Sequence, residues 1–184
     1  MQPSSAIIKP IVQVKNVSLI AFSAVFVAIS VALPWLAHQF NLAGPTFLPM
    51  HIFVLTAGLL LGWRAGLVVG LLTPLVSYAT SGMPVLPVLP QITVEVMLYG
   101  LAAGFCREKL KLNLYVSLLA AMLVGRLGLL LAVWLLGTGP VGPVEAVWRA
   151  VSLGWPGIAI QLALVPLAAV WLKKYLKKVN EPTG

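Results

Sequence analysis

The chain has 184 residues, of which 60% are hydrophobic and 9% charged, too little polar surface to cover the core of a soluble domain. Its mean hydropathy of +1.02 and its length leave room for six membrane spans of roughly 20 residues, short connections and no second domain. The formal charge of +8 invites a nucleic-acid reading, but every Lys and Arg except Arg126 and Arg149 falls at one predicted membrane face, where topology and anionic headgroups explain it.

The predicted spans cover residues 17–37, 47–62, 65–80, 91–106, 114–136 and 150–172. Lys9 and Lys15 precede the first, and Arg64 lies between the second and third. Arg107, Lys109 and Lys111 lie between the fourth and fifth, and Lys173, Lys174, Lys177 and Lys178 follow the last. The junctions 39–47, 81–90 and 137–148 carry no basic residue. Short loops rich in Lys and Arg stay on the cytoplasmic side. The pattern predicts an all-α integral membrane protein with six transmembrane helices and both termini cytoplasmic.

The first span follows a basic, polar N-terminus, yet five further spans argue for an uncleaved helix and against a signal peptide. Ala24, Ala28 and Ala32 recur along it at every fourth residue, a smooth stripe that either packs internally or docks another membrane protein. The second and third spans are short for ~30 Å of hydrocarbon. Gly58, Gly62, Gly66 and Gly70 run through them at the same interval, and Gly100 and Gly104 repeat it in the fourth, which predicts close helix packing. Pro74 and Pro166 lie within spans, where neighbouring groups can satisfy the freed carbonyls. The loops 81–90 and 137–143 are uncharged and rich in Pro and Gly, suited to a lid over a cavity or to tight turns. The lone Cys106 is structural filler.

This topology assigns each intramembrane polar group a depth. Thr73, Ser77 and Thr80 fall in the outer half of the third span, on one face. Gln91 and Glu95 stand one above the other near the outer end of the fourth span, with Tyr99 a turn deeper. His51 is near the outer start of the second span, Arg126 is mid-span in the fifth and Gln161 is mid-span in the sixth. Trp35, Trp148 and Trp155 fall near the outer interface, where tryptophans gather and can also stack on a ligand. The inner halves carry no charge, so the pattern describes a polar pocket open to the outside and closed below. Glu95 and Arg126 matter most, because a charge near the bilayer centre costs about 2.5–3.5 kcal/mol. They either tie to each other or contact a polar ligand, and the two roles are compatible. The candidate ligand-binding residues are His51, Thr73, Ser77, Gln91, Glu95, Tyr99, Arg126, Trp155 and Gln161.

No nucleotide-binding phosphate loop, His-Glu-x-x-His, Gly-x-Ser-x-Gly or Cys-x-x-Cys motif occurs. Of four acidic residues only Glu95 lies within a predicted span, which leaves little material for a metal site, a cofactor or an enzyme. A second half resembling an inverted repeat is also missing. A self-sufficient proton-coupled carrier with Glu95 as the coupling carboxylate, or a structural subunit without ligand, are the rival readings.

Six short spans, the Ala24-x-x-x-Ala28-x-x-x-Ala32 stripe, and the stretch Pro49-Met-His-Ile-Phe-Val-Leu-Thr-Ala-Gly-Leu-Leu-Leu-Gly62 occur here in order with Thr80-Ser-Gly-Met-Pro84 and Glu95-Val-Met-Leu-Tyr-Gly100. Taken together, this ordered set resembles the substrate-capturing S component of energy-coupling factor transporters over nearly the full chain. The resemblance implies a bacterial cytoplasmic-membrane protein that captures a water-soluble vitamin or its precursor. It further implies a membrane scaffold subunit and two cytoplasmic ATPases as partners, with Ala24, Ala28 and Ala32 as the docking face. Loops around Phe47, Met83 and Gly139 would close the pocket. The charge of the ligand stays open at this point, since Glu95 suits a cation and Arg126 a carboxylate.

Overall fold

The computed structural model describes residues 16–39, 49–137 and 140–180. The expected lid positions Phe47 and Gly139, and the topology determinants Lys9 and Lys15, lie outside these residues. Six helices follow one another: α1 (Asn16–Gln39), α2 (Pro49–Leu61), α3 (Trp63–Ser81), α4 (Leu89–Glu108), α5 (Leu114–Leu136) and α6 (Pro143–Asn180). Four of them, α1, α4, α5 and α6, are long and apolar enough to cross a membrane. The 13 residues of α2 form a shorter apolar helix.

Local chemistry sets the helix ends. The Asn113 side chain caps α5, accepting from the Val116 amide at 2.8 Å, which satisfies a donor the first turn leaves open. α2 and α3 are separated by a single residue, Gly62, at φ 94°, a left-handed conformation that side chains disfavour. The first amide of α3, Trp63, then donates to Glu108 Oε2 at 3.2 Å, so the end of α4 caps the start of α3. Helix α6 starts seven residues before the predicted span, at Pro143. Proline suits the first helical position because it lacks only an amide that would be unpaired there. Glu145 in that first turn pairs with Arg149 at 2.7 Å, an i,i+4 contact. Hydropathy did not extend to this amphipathic turn, so the segment expected as loop is helix.

Helix α4 packs against α2, α3 and α5, while α1 lies on α2 and α3, and α6 on α5 and α2. The glycine interval explains how α2, α3 and α4 meet. A Cβ added at Gly58 or Gly66 would collide with the Gly100 carbonyl oxygen, and one at Gly70 would lie 2.6 Å from the Val96 oxygen. The backbones themselves touch, which only small residues permit. Gly66→Ala or Gly100→Ala should therefore cost about 3 kcal/mol, the upper end of overpacking, read as a lower unfolding temperature in detergent. Gly142→Ala, where a Cβ meets open space, is the control and should cost at most about 1 kcal/mol, the loss of a favoured helix cap.

Candidate functional site

Where α1, α3 and α5 end and α2, α4 and α6 begin, the bundle opens into a cavity of about 580 Å³. Every helix contributes: Pro34 and Trp35 from α1, Met50 and His51 from α2, Ser77 and Ser81 from α3. Gln91, Ile92 and Glu95 come from α4, Arg126 and Leu129 from α5, and Arg149 and Leu153 from α6. Met83, Pro84 and Val88 of the α3–α4 connection and Pro140 and Val141 before α6 complete the wall. Below it, Leu55, Leu59, Ala102, Ala103, Leu118, Ala121 and Val165 form a buried apolar cluster, so the cavity is closed on that side by apolar packing.

The polar floor is built on the periodicity of α4. Gln91, Glu95 and Tyr99 are four residues apart and so share a face, and all three are buried. Glu95 Oε1 accepts from the Tyr99 hydroxyl at 3.2 Å and from Arg126 Nη1, with which it forms an ion pair. The Arg126 guanidinium also lies over the Tyr99 ring, 5.9 Å from its centre, within cation–π range. His51 stands edge-on to the same ring, with centroids 5.1 Å apart. Neither nitrogen of His51 finds a hydrogen-bond partner among the described residues. Room for Tyr99 comes from Gly125, where a Cβ would lie 2.6 Å from the ring. The arrangement offers one ion pair and one unpartnered imidazole at the bottom of an apolar-walled cavity.

Of the residues singled out from the sequence, His51, Ser77, Gln91, Glu95 and Arg126 line this cavity. Tyr99 lies behind the ion pair, almost fully covered. Thr73 is one turn below Ser77, fully buried, and its hydroxyl donates to the Val69 carbonyl at 2.7 Å. Gln161 is buried too, with Nε2 unpartnered among the described residues, and does not reach the wall. Trp155 is 65% exposed and Trp148 69% exposed, both away from the wall, whereas Trp35 belongs to it. Sequence reasoning passed over Arg149, Leu153, Leu129, Ile92 and Met50. Glu145 and Arg149, at i,i+4 spacing ahead of the sixth span, were the available sign that a helix already runs there.

Ala24, Ala28 and Ala32 are all exposed on α1, flanked by Ile20, Val25, Ile29 and Leu33, which are exposed as well. No part of the described chain covers this stripe.

A family model described as ECF transporter, substrate-specific component, matches residues 18–173. No curated protein and no solved structure matches the chain.

Proposed function

Because the chain belongs to the substrate-specific components of energy-coupling factor transporters, we propose that it captures a small water-soluble vitamin or vitamin precursor in the α1–α6 cavity for uptake. The observation that carries this reading is the buried polar floor, Glu95 with Arg126 and the unpartnered His51, beneath an open cavity of about 580 Å³. Burying such groups is costly unless something answers them. A purely structural tie would need no cavity above it.

In this reading all six helices cross the bacterial cytoplasmic membrane with both termini inside. Arg64, Arg107, Lys109, Lys111, Lys173 and Lys174 sit at the helix ends opposite the cavity, which supports a cavity facing outward. Helix α2 covers only about 20 Å at 1.5 Å per residue, and a locally thinner bilayer accommodates it. The exposed alanine stripe supports docking of α1 on a membrane scaffold subunit, which two cytoplasmic ATPases would drive. Ser77 and Gln91 would add hydrogen bonds to the ligand, and Tyr99, Thr73 and Gln161 would shape the floor from behind. Trp155 would contact lipid headgroups.

The test is binding by the purified chain in detergent, together with uptake by cells. Stabilisation by a vitamin or precursor is expected without partners, and uptake only when scaffold and ATPase subunits are co-expressed. Uptake that ignores ATP but collapses with the proton gradient would replace this reading with a proton-coupled carrier.

A further inference from the structure

The floor of the cavity is asymmetric in what it leaves unused. Glu95 presents an oxygen already holding two donors, Tyr99 Oη and Arg126 Nη1, and its side chain is only 6% exposed. Arg126 carries five N–H groups, of which one meets a protein acceptor among the described residues. A guanidinium can bridge two carboxylates through its separate edges, so Arg126, 12% exposed, can keep Glu95 while it receives a second acid, whereas a cation would have to reach Glu95, the less exposed member of the pair.

Charge at the wall points the same way. Arg126 and Arg149 face the cavity against one carboxylate, Glu95. Glu145, the partner of Arg149, is half exposed and lies outside the wall, and an ion pair in water holds its members weakly. Residues 40–48 and 138–139 contain no ionisable side chain, so those connections do not alter the balance. His51 is 6% exposed with both nitrogens unpartnered among the described residues, and a neutral imidazole offers one donor and one acceptor. It stands against the same Tyr99 ring as Arg126, so one small molecule can reach both.

We propose that the captured molecule is a small organic carboxylate, received through its acid group by Arg126. A neighbouring hydroxyl or amide of the same molecule engages His51, and its apolar part lies on Met50, Ile92 and Leu129. This rests on the capture reading above and names its substrate class. Arg149 at the rim attracts the anion before it reaches the floor.

The experiment compares acids with their own uncharged derivatives on the purified full-length protein in detergent. The probes are the water-soluble vitamins and precursors, including nicotinate with nicotinamide, pantothenate with its alcohol, the cation thiamin and the net-neutral pyridoxine. Thermal stabilisation is the first readout, and affinity by titration calorimetry the second. A carboxylate is expected to stabilise the protein, while its uncharged derivative binds about 10- to 100-fold more weakly. Arg126→Lys should keep part of the preference for the acid and Arg126→Gln should abolish it. His51→Phe should weaken acid and derivative by equal factors. Stabilisation by thiamin or pyridoxine only, or acid and derivative binding equally, would overturn the carboxylate assignment and leave capture standing. No response to any compound would overturn capture itself, and this assignment with it.

Discussion

Ala28→Leu, and more completely the triple replacement of Ala24, Ala28 and Ala32 by leucine, should stop uptake while leaving ligand affinity and unfolding temperature as they were. The physical basis is the exposure of all three on α1. Side chains that already face outward can lengthen without crowding the interior of the bundle. A partner helix that approaches at backbone distance meets them directly, and overpacking costs about 1–3 kcal/mol per site. That is about 5- to 150-fold in docking affinity for one residue, and the triple variant should fall to background. Uptake of the captured compound, in cells co-expressing scaffold and ATPases, is the measurement. Unimpaired uptake by the triple variant would remove α1 as the docking face.

The second large effect belongs to the buried ion pair. Arg126→Met strands the Glu95 carboxylate with Tyr99 alone, and Glu95→Gln leaves the Arg126 guanidinium among apolar walls. Losing one member of a buried pair typically costs about 3–5 kcal/mol. The double variant, Glu95→Gln with Arg126→Met, should recover at least half of that loss, because no uncompensated charge remains. Ligand binding should not recover with it, since the recognising groups are gone. Denaturant unfolding in detergent, run as a double-mutant cycle, separates the two quantities. Strictly additive losses would show that the two side chains do not support one another.

Much of this was legible in the chain, for reasons that can be located. Glu95 and Arg126 are 31 positions apart, yet each was the most expensive residue in its apolar stretch. Charges within apolar stretches need partners, so cost marked both residues, but whether they would meet each other or a ligand was left open until the structure paired them. Glycines at fixed spacing announced close helix packing, but not that Gly100 serves both Gly58 and Gly66. Depth was readable, while rotation about the helix axis was not. Leu153 reaches the cavity and Trp155 is exposed, because two residues turn a helix by about 200°. Thr73 and Ser77 share a face, yet the one-turn step of about 5.4 Å puts Thr73 under the floor. The start of α6 escaped notice because its first turns mix Glu145 and Arg149 with apolar residues, a pattern that a search for long apolar runs discards.

The contact of bare backbones at Gly58, Gly66 and Gly100 bears on which parts of the bundle can move against one another. Helices slide past one another by exchanging one interdigitation of side chains for another, and at this crossing there are none to exchange. With Trp63 also held to Glu108, the second, third and fourth helices are joined as a single block. Any change in the shape of the cavity therefore falls to the helices outside this block, since a shift within it would have to part backbones already in contact.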